Sequence, residues 1–307
     1  MKSYHMSTIA AFEREIKMQV KFLEKFVPQR PLSVAKQKRA IFCGTGDSFV
    51  SAKLAEIFSD FRAKAFDPLD LLKNKRLLKD HDLYLISISG NTISNIKLAK
   101  TFRNTTAVTA NPQSKLANVC QKSIILKYPH SRIFTAGSIS FLSSAMTCLS
   151  LVSKYHIRNI TKIYNQARTQ SKKVDLRGKI YLLGNLHTMP IAMFCAAKLY
   201  EVSGLDAHYA GMEQFSHMEL FSARKGDTVI LFEEKNKHNS KLTVRLEKYG
   251  LHVVQMQPNT KNIQEIVLFF IFVSELIALY HPKKKNTKGC FFVRAKKLRD
   301  VSSSMIY

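Results

Sequence analysis

Two apolar runs that break at glycine, "RAIFCG" at residues 39–44 and "KIYLLGN" at residues 179–185, constrain the fold of this chain most strongly, because a helical stretch follows each. After the first come the helical "FVSAKLAEIFSDF", the strand "AKAFD", the helical "PLDLLK", the strand "DLYLISIS" and the helical "TISNIKLAKTF". "TTAVTAN" and "SIILKY" read as further strands flanking the helical "SKLANVC". Strands alternating with helices of this length predict a parallel sheet covered by helices on both faces. A long helix, "ISFLSSAMTCLSLVSKYH", then leads through "NQARTQSKKVDLRG", read as a polar linker, to the second glycine-ended run, 140 residues after the first when counted from Gly44 to Gly184. There the helical "PIAMFCAAKLYEVSG" follows, with strands "DTVILFEE" and "LHVVQMQ" on either side of the helical "SKLTVRLEKY". The expectation is an α/β chain of two similar units with a boundary near Val174.

At 307 residues and 46% hydrophobic content the chain can bury a substantial core. Its five cysteines show no metal-ligand or redox spacing, which argues against a zinc ribbon or a disulfide framework and fits a reducing cytoplasm. The opening residues read as an amphipathic helix with charges throughout, not as a signal peptide. The apolar run at residues 266–280 includes Ser274 and Glu275 and falls short of the roughly 20 residues of a bilayer span, so a buried helix and no membrane association are expected. Lys and Arg number 48 against 22 Asp and Glu, a formal charge of +26, and such a field concentrates anions. The basic residues are spread along the chain without a helix-turn-helix, zinc finger or aromatic RNA-binding motif, so no specific nucleic-acid partner is expected. The "PKKKNTK" run reads as a solvated loop.

The strand at residues 83–89 stops in Ser87-Ile88-Ser89-Gly90-Asn91-Thr92. In open α/β sheets ligands bind beyond the carboxyl ends of strands, where backbone N–H groups at the next helix N-terminus attract anions. Hydroxyls at Ser87, Ser89 and Thr92 add donors without permanent charge, and Gly90 allows close backbone approach. The loop reads as a phosphate cradle, although serine and threonine at such a place also cap helices. Lys198 and Glu201, three apart on an expected helix, share a face, and taken alone the pair reads as an ordinary surface salt bridge. Glu213 and His217 have a metal-pair spacing but no third ligand, so no metal and no cofactor are expected.

"CGTGDSFVSAKLAE", "SISGNT" and "AVTANPQSKLANVC" resemble, in order and spacing, the sugar isomerase (SIS) domain: a glycine-rich first turn ending in serine, an S-x-S-G-x-T loop, and a strand leading into N-x-x-S-x-L-A. The second half resembles the second SIS repeat in the isomerase part of glucosamine-6-phosphate synthases, and "AKLYEVSGLDAHYAGMEQFSH" matches that region without a gap. The resemblance implies two tandem flavodoxin-like SIS domains, each a parallel sheet with helices on both faces: a helical segment at 1–35, a phosphosugar-binding domain at 36–158 and a second domain with the tail at 174–307. It also implies a homodimer.

Carried over by motif position, Ser48, Ser87, Ser89 and Thr92 would hold the phosphate of a hexose 6-phosphate, while Gly46 and Ser138 would contact the sugar. Ile88 stands where a polar residue is usual. Glu201 would be the base, Lys198 would stabilise charge, and His217 would open the ring, reaching the neighbouring subunit's site. The glutaminase domain of the synthases has no counterpart here, so ammonia would come free or from a separate glutaminase. In the tail, "RAKKLRDVSSSMIY", Asp300 falls where the synthases carry a Schiff-base lysine, leaving Lys296 or Lys297 as substitutes. The expected function is phosphosugar isomerisation on a substrate such as fructose 6-phosphate or glucosamine 6-phosphate. A non-catalytic phosphosugar-binding regulator and an amino-sugar phosphate deaminase are the alternatives.

Overall fold

The computed structural model describes residues 6–306; residues 1–5 of the expected N-terminal segment and Tyr307 of the tail lie outside the described residues. Two parallel sheets with their helices make an α/β fold. The first contains β1 (Ala40–Cys43), β2 (Lys64–Phe66), β3 (Asp82–Ile86), β4 (Thr105–Thr109) and β5 (Lys122–Ile125) in the order β2-β1-β3-β4-β5. The second contains β6 (Ile180–Leu183), β7 (Ala207–Ala210), β8 (Thr228–Leu231) and β9 (His252–Gln255) in the order β7-β6-β8-β9. β1, β6 and β8 are buried at every residue, as strands covered on both faces must be, and their Val, Ile and Leu content follows from that.

The chain forms two compact units. The first comprises residues 25–130 and 137–155 and the C-terminal stretch from Lys296. Ile41, Leu83, Leu85, Leu98, Ala107 and Leu116 form a core on one face of its sheet. Helix Ile139–Val152 is apolar almost all round and packs on helix Asp47–Phe58, where the hydroxyls of Ser51 and Ser144 meet at 2.9 Å. That bond satisfies two polar groups that burial would otherwise penalise.

The second unit comprises the N-terminal stretch up to Glu24 and residues 131–136 and 156–295. Its central helix, Ile263–Lys284, is long and apolar enough to cross a membrane, but 89% of its most apolar window is buried inside the protein. Phe269, Phe270 and Phe272 are fully buried, each contributing about 1.5–3 kcal/mol. The Glu275 carboxylate, in the middle of this helix, accepts both its oxygens' bonds from Gln19 Nε2 at 2.9 and 2.8 Å. Gln19 belongs to helix Thr8–Glu24, whose apolar face of Ile9, Phe12 and Ile16 is buried.

Two local expectations are corrected. Much of the stretch read as a polar linker belongs to helix Ile160–Ser171, in which Ile160, Ile163, Tyr164 and Ala167 recur at helical spacing and are buried. β7, unrecognised in the sequence, pairs with β6 just as β2 pairs with β1. The repeat was the signal that could have located it.

Candidate functional site

Register brings the first candidate elements together. Cys43 on β1 pairs with Leu85 on β3, so the turn at residues 44–48 and the loop at residues 87–92 leave neighbouring strands at the same carboxyl end. Gly44 is required there: a Cβ would lie 2.7 Å from Ser48 Cβ and 2.8 Å from its carbonyl carbon. Gly46, exposed and at φ +54°, begins helix Asp47–Phe58, with Ser48 in its first turn.

Within the loop, Ser87 Oγ lies 3.0 Å from Thr92 Oγ1 and accepts from Gly90 N at 3.1 Å, while the exposed Ser89 accepts from Asn91 N at 3.3 Å. Thr92 is the N-cap of helix Ile93–Thr101 by position, yet its side chain makes no capping bond. The buried Ser87 and Thr92 hydroxyls are therefore paired with each other, and the Thr92 side chain does not cap the first N–H groups of that helix. Gly90 has φ +65°, and a Cβ on it would fall 2.1 Å from Ser114 Oγ, so only glycine fits. Ile88 is pinned through its carbonyl, which accepts from Ala110 N and Thr109 Oγ1, both at 3.1 Å. Inside helix Ile93–Thr101, Asn95 donates to Ile86 O at 3.0 Å and ties the helix to the strand end; sequence reading passed over this residue. Ser138 is fully buried at the start of helix Ile139–Val152 and so is not presented to solvent in this structure.

The second set lies in the other unit. Lys198 ends helix Met189–Lys198, and Glu201 sits in a π-helical turn, Leu199–Ser203, where one continuous α-helix was expected. The turn closes at Gly204, φ +68°, with Phe291 packed where a Cβ would be. Tyr200 donates its hydroxyl to Ala207 O, and Ser203 donates to Ala278 O at 3.1 Å. Lys198 Nζ reaches Glu201 Oε2 at 2.5 Å and lies 5.1 Å from the Phe194 ring centroid. Lys198 is 0% exposed, whereas the Glu201 side chain is 36% exposed. This decides against a surface salt bridge: a buried ammonium requires its partner, and the partner faces outward. Single-turn π-helices are frequent at functional sites.

His217 is exposed at the end of helix Met212–His217. Met218 and Phe221 beside it are 56% and 86% exposed. Lys296 and Lys297 open the exposed helix Lys296–Ile306, which also carries Asp300. Among the described residues no three His, Cys, Asp or Glu side chains gather as a metal site. Burial pushes the Cys43 thiol up, with Asp67 and Asp70 adding to the effect, and raises Cys195 to about 12, so neither supplies a thiolate nucleophile.

No protein-family model and no curated protein matches the chain by sequence. Solved structures do match. Glucosamine-6-phosphate deaminase from Thermotoga maritima superposes with a TM-score of 0.74 at 18% identity, covering 92% of this chain and 95% of that one. Tagatose-6-phosphate ketose/aldose isomerase from Escherichia coli gives 0.70 at 17% identity over 92% and 97%. The C-terminal domain of glucosamine-fructose-6-phosphate aminotransferase from Francisella tularensis gives 0.66 at 14% identity over 91% and 97%. The chain therefore has the fold of the phosphosugar isomerases and their SIS-domain relatives.

Proposed function

We propose that this protein is a phosphosugar isomerase interconverting the aldose and ketose forms of a hexose 6-phosphate or amino-sugar 6-phosphate. The observation that carries this reading is the fully buried Lys198 paired with a partly exposed Glu201 on a π-helical turn. Isomerisation moves a proton between C1 and C2 and develops negative charge on an enediolate oxygen, so it needs a base beside a fixed positive charge. Glu201 is the base and Lys198 the charge. In this proposal the substrate phosphate rests on Ser87, Ser89, Thr92 and Ser48, with Gly46 towards the sugar. The working form is a cytoplasmic homodimer of two SIS domains per chain, with the partner subunit's His217 opening the ring.

Two observations favour a second reading, amino-sugar phosphate deamination: the Thermotoga deaminase superposes with a TM-score of 0.74, and by resemblance to the synthases Asp300 falls where they carry the tail lysine. Deamination begins with the same proton transfer, so one experiment addresses both. Wild type and Glu201→Gln are incubated in deuterium oxide with fructose 6-phosphate or glucosamine 6-phosphate, with and without ammonium. Deuterium at C1 of fructose 6-phosphate and at C2 of the aldose or amino sugar is followed by NMR and ammonia release by a coupled assay, and sedimentation of the same samples reads the oligomeric state. The glutamine variant should still bind the sugar phosphate and lose about 10²- to 10⁴-fold in exchange rate. Tight binding without exchange in wild type would leave only a phosphosugar-binding module, equal exchange in the variant would move the base elsewhere, and a fully active monomer would remove the partner's His217.

A further inference from the structure

A cluster of positive charge lies wholly within the unit that carries Lys198 and Glu201. Helices Thr8–Glu24, Ile160–Ser171 and Ile263–Lys284 leave between them a cavity of about 260 Å³. Its floor is apolar, formed by Ile16, Leu276 and Leu279, all buried. Tyr164 and Tyr280 also line it. Four cations, Lys17, Arg168, Lys172 and Lys283, and a single carboxylate, Glu13, complete the lining, a formal excess of three positive charges.

The distribution of those charges matters more than their number. Glu13 is spanned by Lys17 Nζ at 2.9 Å and Lys283 Nζ at 2.7 Å. Burial alone would raise its pKa, but the two ammonium groups outweigh that and hold it below the usual carboxylate range. Arg168 in the last turn of helix Ile160–Ser171 and Lys172, its C-cap residue, have no carboxylate partner among the described residues. The phenols supply neutral donors: burial pushes Tyr280 up to about 12 and raises Tyr164, so both remain protonated near neutral pH.

From this arrangement we infer that the three-helix cavity is a second anion site, which takes a small organic phosphate whose apolar body lies on Ile16, Leu276 and Leu279 while its phosphate meets Arg168, Lys172 and the two tyrosine hydroxyls. The apolar floor distinguishes it from a bare basic patch, which would hold inorganic phosphate equally well. Its volume is just below the roughly 300 Å³ at which ligand pockets usually begin, which suits one ring plus one phosphate and excludes a dinucleotide. It shares no residue with the hydroxyl loop.

The test is calorimetric titration of the full chain with phenyl phosphate, inorganic phosphate and phenol. It is repeated in Ser89→Ala/Thr92→Ala, in Arg168→Ala/Lys172→Ala, and in Lys241→Ala/Lys248→Ala as a charge-matched control outside the cavity. Phenyl phosphate should bind at least tenfold more tightly than either fragment. That affinity should survive in the loop variant and the control and fall at least tenfold in Arg168→Ala/Lys172→Ala, with circular dichroism reporting an unchanged fold. Loss of phenyl phosphate binding in the loop variant would return the ligand to the first unit. Full affinity in Arg168→Ala/Lys172→Ala, equal affinity for inorganic phosphate, or no binding to wild type would each overturn the inference. None of these outcomes depends on isomerase activity.

Discussion

The ends of β3 and β8 occupy corresponding places in their sheets and handle negative charge in opposite ways. Leu85 of β3 pairs with Cys43, and Leu231 of β8 pairs with Leu183; each partner is followed at once by a glycine, Gly44 or Gly184, packed against the residue four further on. Two residues beyond the paired leucine stands Ser87 in one sheet and Glu233 in the other. Ser87 shares its hydroxyl with Thr92 and Gly90 N. Glu233 Oε1 accepts from Asn185 N at 2.8 Å and from Thr188 Oγ1 at 2.7 Å. The second strand end thus already contains an anion, the protein's own carboxylate, at the turn where the first offers only hydroxyls and N–H groups. At the corresponding register position one strand end carries Ser87 and the other Glu233. This supports placing the external phosphate on the first sheet.

Three variants would break or sharpen that comparison. The largest effect is expected for Gly90→Ala, because a methyl group would be forced into a left-handed backbone and against Ser114 Cβ at 2.3 Å. It should lower unfolding stability by about 2–4 kcal/mol, read from urea denaturation; a loss below about 1 kcal/mol would mean the loop relaxes and is not held in one shape. Next, Ser89→Ala/Thr92→Ala should weaken hexose 6-phosphate binding by about 1–3 kcal/mol, the worth of hydrogen bonds to a charged group. Unchanged affinity in calorimetry would erase the contrast between the two strand ends. The smallest effect is expected for Glu233→Ala, which removes the shared carboxylate acceptor and leaves Asn185 N only Thr188 Oγ1 at 3.1 Å and Thr188 Oγ1 only Asn185 O at 3.0 Å; the loss should cost about 1 kcal/mol. Sulfate should restore part of that stability by occupying the vacated position, and thermal melts of the variant that ignore sulfate would show that the turn is no anion site at all.

Much of this was legible in the order of residues. Gly44 and Gly184 announced two corresponding strand ends, and Ser87, Ser89, Gly90 and Thr92 announced a loop rich in donors, because strand alternation, turn chemistry and helical periodicity are carried by near neighbours in sequence. The i, i+3 spacing likewise brought Lys198 to Glu201. What that spacing could not reveal is that the lysine is buried and the glutamate is not. The difference arises from a π-helical turn locked by Ala207, Ala278 and Phe291, residues six to ninety positions away in the chain.

Register and the contents of a cavity are set by contacts between distant segments, and near neighbours in the sequence do not determine them. Its periodicity specified that helices Thr8–Glu24 and Ile263–Lys284 would have buried residues, but only their packing with Ile160–Ser171, a helix hidden in an apparent linker, left a cavity lined by Arg168 and Tyr280. Glu233 looked like one of two charges at the end of an apolar run until the pairing of β6 with β8 brought it to Asn185 and Thr188. Composition determined that this protein would carry an excess of 26 positive charges. Tertiary structure decided where anions could use that excess, because electrostatic attraction depends on distance and on exclusion of water, and both are properties of the folded chain.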